Sequence, residues 1–185
     1  RDPEMSRGLG DVYKRQSMNR AIYLANVLGV DMGMYYKRLD YSRYVNGRHP
    51  IAAYEFLGPK IEGKDMILID DMISSGDTII KIASLLKEKG AGRVYICSTF
   101  GFFTDGLDKF DDAYKKGYFD KLLTTNLVYQ SPELLEKPYY ISCDMSKYIA
   151  LIIDTLNHDT SVSHLLNPVD RIKRCVTNYM SQYEK

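Results

Sequence analysis

Tryptophan is absent from this chain of 185 residues, cysteine occurs three times, and neither sign of charge is in excess. Each shortage excludes something. With 25 basic against 24 acidic side chains and a formal net charge of +1, binding to nucleic acid through bulk phosphate neutralisation is not expected. Cys97, Cys143 and Cys175 are odd in number and match no zinc spacing. Neither a disulfide framework nor a structural zinc site is expected, and a reducing, cytoplasmic setting is the simplest reading. No apolar run reaches the ~20 residues that span a bilayer. The opening RDPEMSRGLG has no apolar stretch like that of a secretory signal. What is present, 45% hydrophobic and 26% charged residues, is the balance of a globular domain with a core.

Residues 1–16, RDPEMSRGLGDVYKRQ, are polar, basic and without period. They read as a non-native or disordered leader, similar to translated junction sequence. From Ser17 onward Met18, Ile22, Ala25 and Leu28 share one helical face, with Gly29 as a stop. The remainder, 17–185, reads as one domain of alternating elements. Strands are expected at Val30–Tyr36, Asp65–Ile69, Arg93–Thr99, Lys121–Val128 and Tyr139–Cys143. A long loop over Lys37–Pro50 carries Asn-Gly and Pro signals. Helices are expected through Ile79, Ile82, Ala83 and Leu86, over about Asp105–Lys116, and through Met145, Tyr148, Ile149, Ile152, Ile153 and Leu156. Ser161 and Ser163 are placed to cap a short helix with Leu165 and Leu166, and Pro168 to open the last one. Strands separated by helices imply an α/β fold, a mostly parallel sheet flanked by helices.

The most informative segment runs from Met66 to Thr78: an apolar strand, the pair Asp70-Asp71, two spacer residues, then Ser74-Ser75-Gly76-Asp77-Thr78 leading into a helix. Open α/β sheets bind ligands at the carboxyl ends of their strands. Backbone N–H groups at a helix N-terminus, with its dipole, suit a phosphate. Small hydroxyl residues add donors without bulk, and Gly76 permits close backbone approach. Asp70 and Asp71, about one sugar length from the loop by the reach of the chain, offer acceptors for two hydroxyls and oxygen ligands for magnesium.

This segment resembles the binding motif for 5-phosphoribosyl diphosphate (PRPP) of the phosphoribosyltransferase fold. Carried over, the resemblance assigns Asp70 and Asp71 to the ribose hydroxyls and, with magnesium, to the metal. It assigns Ser74, Ser75, Gly76, Asp77 and Thr78 to the 5-phosphate loop. The flanks narrow it: Thr124-Thr125-Asn126, the run Tyr140–Ser146, and Ser161-Val162-Ser163-His164-Leu165-Leu166 resemble the C-terminal half of ribose-phosphate pyrophosphokinases (PRPP synthetases), closest to a divergent Firmicutes-like branch. The likeness runs from about Asn19 to about Ile172. It implies transfer of the pyrophosphoryl group of ATP to C1 of ribose 5-phosphate, giving PRPP and AMP. Lys37 and Arg38 would be the catalytic cations of a mobile flap. It also implies a homo-oligomer for the whole enzyme.

The chain departs from that pattern at several places. Ser74 stands where an aspartate is common and Asp77 where a glycine is common, so the Asp77 carboxylate must turn away from a phosphate or cap the helix. Leu39 replaces a usual basic residue, for which Arg43 or Arg48 are candidate substitutes. The family's N-terminal half and its Ser-Pro-Asp-x-Gly turn have no counterpart, so the chain alone is expected to bind ribose 5-phosphate weakly and catalyse nothing. The alternatives are a phosphoribosyltransferase using PRPP, for which no base-binding hood is seen, and a non-catalytic synthetase-associated regulatory subunit, against which Lys37 argues. His49, His158 and His164 are not spaced as metal ligands. The sixteen tyrosines are scattered and read as packing residues.

Overall fold

The structure, a computed structural model, describes residues 21–39, 42 and 51–183. The leader, Arg43, Arg48 and His49 lie outside the described residues. Residues 21–28 form helix α1, ended by Gly29, whose φ of 67° a residue with a Cβ adopts at a cost. Two strands then make an antiparallel hairpin, β1 (Met34–Leu39) against β2 (Ile51–Leu57). The expected strand over 30–36 therefore begins later and runs through Lys37 and Arg38, positions assigned to the loop. The reason is the partner strand. Ile51–Leu57, a mostly apolar run with no clear alternation and therefore not expected as a strand, supplies the ladder that extends β1.

The main sheet has four parallel strands in the order β3 (Met66–Ile73), β4 (Val94–Gly101), β5 (Lys121–Thr125) and β6 (Tyr140–Cys143). Helix α2 (Asp77–Glu88) crosses from β3 to β4, α3 (Asp108–Lys115) from β4 to β5, and the short α4 (Pro132–Leu135) precedes β6. The expected α/β architecture is thus observed. Ile79, Ala83 and Leu86 recur at helical spacing on α2 and join Phe110 and Ala113 of α3, Val94 and Ile96 of β4 and Leu122 of β5 in one core. Each large side chain buried there contributes about 1.5–3 kcal/mol. Across the sheet, Ile67, Ile69 and Ile141 remain 38–50% exposed, so the core lies on one face.

Capping explains the short elements. The Ser131 hydroxyl accepts the Leu134 amide at 3.2 Å with Pro132 in the first turn, making α4, which the sequence reading did not anticipate. Helix α5 (Ser146–Asn157) packs on α6 (Ser163–Leu166). The last helix, α7 (Val169–Tyr183), follows Pro168 as expected and opens with the Val169 amide on Asn167 Oδ1 at 3.2 Å. Arg171 ties it down, reaching the Tyr148 hydroxyl at 2.7 Å and the Leu165 carbonyl at 2.9 Å. The α6 N-cap is Val162 rather than a serine, and Ser161 instead accepts the Ser163 amide at 3.3 Å.

Candidate functional site at the carboxyl rim

Strand β3 does not stop before the acidic pair. Pairing with β4 continues through Asp70 with Ser98, Met72 with Phe100 and Ile73 with Gly101. The alternation of burial breaks at the pair: Asp70 and Asp71 are both half-buried, and Ile73 beyond them is buried where Ile67 and Ile69 are exposed. A regular strand would send the two carboxylates to opposite faces. The Asp71 amide donates to Asp70 Oδ1 at 2.8 Å, which holds the first carboxylate against the backbone of the next residue.

The turn that follows is held by the core. Gly76 has φ 83° and precedes α2 as its N-cap, without a side-chain cap. A Cβ built there would lie 2.2 Å from the Phe110 ring. Glycine is therefore required twice, for the left-handed backbone and for the aromatic ring packed beneath it. Sequence reasoning gave Gly76 to ligand approach alone, since Phe110 is distant in the chain. The first intrahelical bond is Ile80 N–H to the Gly76 carbonyl at 3.0 Å. Amide groups ahead of it lie outside the helix's own ladder and point from its positive end.

The loop's side chains are engaged with the β4–α3 segment. The Thr104 amide donates to the Ser74 carbonyl at 3.1 Å, and the hydroxyls of Ser74 and Thr104 lie 3.3 Å apart. Thr104 donates to Asp105 at 3.2 Å, which leaves Ser74 as the donor of that pair. The Ser75 hydroxyl donates to Asp77 at 2.9 Å. Lys109, on α3, places its ammonium 2.8 Å from Asp77 and 3.0 Å from Asp105. The Asp77 carboxylate thus turns sideways toward α3. Bonds from Lys109 and Ser75 hold its carboxyl below the usual carboxylate range, and bonds to Asp77 and Asp105 raise Lys109. Sequence reasoning missed Lys109; the acid-to-base spacing of four from Asp105 was the available signal.

Two other family-like segments meet at the same rim. The Asn126 amide group donates to Asp144 at 2.8 Å and its carbonyl oxygen accepts the Met145 amide at 2.8 Å. The Asp144 carboxylate also takes the Ser146 amide at 2.9 Å, and bonds from Ser146 and Asn126 keep its pKa low. The ends of β5 and β6 are stitched together before α5 begins.

Lys37 and Arg38 belong to the hairpin, in register with Tyr54 and Ala53. Arg38 Nε pairs with Glu55 at 2.8 Å, and the Tyr36 hydroxyl donates to the same carboxylate. The hairpin meets the core through its root, where the Tyr35 and Phe56 rings lie 5.1 Å apart, tilted by 47°. The acidic pair and the loop are brought together by chain continuity; Arg38 is engaged within its own hairpin. His158 Nδ1 bonds the Asp154 carbonyl at 2.8 Å, an ordinary helix-end contact. Cys97, Cys143 and Cys175 are all free thiols. Burial first, then the neighbouring Cys143, pushes Cys97 up to about 11, fitting a structural role.

Among the described residues, no group of three or more metal-ligating side chains occurs. Asp70 and Asp71 supply two hard oxygen donors, which suits magnesium, an ion commonly held by one or two carboxylates with water and phosphate completing its shell. No helix among the described residues is long and apolar enough to cross a membrane.

Residues 50–167 match the family described as the phosphoribosyl synthetase-associated domain. A ribose-phosphate pyrophosphokinase of Vibrio parahaemolyticus is 30% identical over 107 residues, 58% of this chain and 33% of that protein. Its namesake from Shewanella oneidensis is 32% identical over the same length and shares. This chain spans about a third of the length of these curated relatives. In structure it is similar to phosphoribosylpyrophosphate synthetase from Mycobacterium smegmatis, with a TM-score of 0.58 and 23% identity over 73% of this chain and 40% of that one. That likeness establishes the fold.

Proposed function

The chain belongs to the phosphoribosyl synthetase-associated domain family, and on that premise we propose that it is the pentose-phosphate-binding part of a ribose-phosphate diphosphokinase. The observation that carries the proposal is the turn after β3. Two half-buried carboxylates near the end of β3 are followed, after residues 72–76, by a helix N-terminus whose leading amides lie outside the helical ladder, that of Asp77 being 3.5 Å from the Ser75 hydroxyl. In this reading those amides bind the 5-phosphate of ribose 5-phosphate and Asp70 and Asp71 accept its ring hydroxyls. Magnesium, held at the same two acids, would screen the charge of the reacting phosphates. Lys37 and Arg38 face the ATP phosphates when the hairpin closes, stabilise the charge that gathers as AMP leaves, and exclude water. Release of Arg38 from Glu55 is the local step such closure requires. The remainder of the ATP site and the subunit contacts of a homo-oligomer fall to parts of the longer relatives that this chain does not span. This chain alone is expected to release no AMP from ATP and ribose 5-phosphate.

The test is ligand-dependent thermal stability of the whole chain with ribose 5-phosphate, PRPP and ATP, each with magnesium. A ligand at 100 times its Kd adds about 2.7 kcal/mol of stability. The two sugar phosphates should raise Tm, and Asp71→Ala should abolish the shift while retaining the fold. Equal Tm with and without millimolar sugar phosphate would remove the basis of the reading.

A further inference from the structure

In most proteins an aspartate in the first turn of a helix is favourable, because its charge meets the positive end of the dipole. At a phosphate-binding turn the same charge is a competitor. A carboxylate at Asp77 is close enough in the chain to occupy the amides that a phosphate would use, and its field opposes an arriving dianion. The structure shows what prevents this. Both oxygens of the Asp77 carboxylate are bonded to side chains. The group is drawn sideways onto Lys109 Nζ at 2.8 Å, with its other oxygen held by the Ser75 hydroxyl at 2.9 Å.

We infer that Lys109 is a positioning residue of the sugar-phosphate site: it holds the Asp77 carboxylate away from the amides of the turn and offsets its charge, so that an anion can bind there. The inference rests on the reading of that turn given above and concerns a residue on a different element. Several features make Lys109 suited to the task. It comes from α3, which is fixed by the next residue in sequence: Phe110 is fully buried and its ring lies against Gly76. On the following residue, Asp111 bonds Lys137 and the Tyr139 hydroxyl, each at 2.7 Å. The base of the Lys109 side chain is thereby set on a rigid support beside the turn. Asp105 provides a second anchor at 3.0 Å, and Thr104 in turn orients Asp105. The ammonium, on a side chain 42% exposed, is thus placed between two carboxylates. The depressed Asp77 and raised Lys109 pKa values agree with a pair that stays charged at neutral pH.

The experiment is a charge-compensation cycle read by calorimetric titration of the whole chain with ribose 5-phosphate at low salt. Lys109→Met should weaken binding about tenfold, the order expected for loss of a charge-assisted contact. Lys109→Arg should recover most of that loss. Asp77→Gly in the Lys109→Met background should also recover it, because the competing carboxylate is gone; Asp77→Gly alone should tighten binding. A merely structural role for Lys109 predicts something different: lower Tm in Lys109→Met, no change in Kd, and no rescue by Asp77→Gly. That outcome overturns the inference while leaving the site reading intact. If the unaltered chain shows no heat with ribose 5-phosphate, the site reading fails and this inference with it. Denaturation curves for each variant guard against unfolding; should Lys109→Met fail to fold, Lys109→Gln replaces it in the same cycle.

Discussion

The two regions that carry candidate chemistry are built in opposite ways. The turn from Ser74 to Thr78 rests on the buried core: Phe110 fills the space beneath Gly76, and the β4–α3 segment is bonded to the turn through backbone and side chains. The β1–β2 hairpin is a separate two-stranded sheet that touches the core through Tyr35 and Phe56 at its root, and its Arg38 is held by a solvent-accessible partner, Glu55. A two-stranded ribbon by itself is marginal in water. Under the function proposed above, the difference suits a reaction with a fixed and a moving part. A phosphate cradle gains from being preorganised, whereas a flap must exchange one set of contacts for another at little cost.

Removing the support of the turn should have the largest effect. Phe110→Ala is expected to cost about 3–5 kcal/mol in urea or guanidinium denaturation. Gly76→Ala should cost about 2–4 kcal/mol from the left-handed backbone and the clash with the ring. The two should be strongly non-additive: in a Phe110→Ala background the clash disappears and the glycine substitution costs only its backbone part. Additive losses would mean that the ring does not set the turn.

Next in size is the bracing of α3. Asp111 is opposed by burial, yet bonds from Lys137 and Tyr139 outweigh it and lower its pKa. A carboxylate whose folded pKa lies below its unfolded value of about 3.9 contributes stability above that value and loses it as pH falls through the folded pKa. Asp111→Asn should therefore cost about 1–2 kcal/mol at neutral pH. The gap should stay flat down to the ordinary carboxylate range and close below it. A gap that persists at the lowest pH would assign the effect to packing.

The smallest change is expected at the hairpin. Glu55→Gln removes the charge opposite Arg38, and an exposed pair of this kind contributes less than about 1 kcal/mol. Stability should scarcely move, while hydrogen exchange of the β1 and β2 amides should quicken relative to those of β3 and β4. Equal protection of both sheets in the variant would erase the contrast drawn here.

Much of this was legible in the chain because the relevant signals are local. The apolar run Met66–Ile69, the helical repeat of Ile79, Ala83 and Leu86, and the glycines at 90 and 117 mark elements through short-range sterics and burial periodicity, and the structure places elements there. The acidic pair followed by a small-residue turn was readable for the same reason. Other features were hidden because they depend on partners distant in sequence. Strand β2 exists by pairing with β1, and β3 extends past its apolar run because Ser98, Phe100 and Gly101 of β4 are there to pair with it. The second reason for Gly76 is a ring 34 positions away.

By itself, then, the order of residues determined the parallel α/β plan, the position of the turn and the chemistry available at it, since periodicity, glycine and small polar side chains act within a few residues. Tertiary structure alone decided which way Asp77 points, that Lys109 stands beside it and Phe110 beneath its neighbour, and that Arg38 is occupied by Glu55. Those outcomes depend on distances between segments, and such distances are set when the sheet and helices pack.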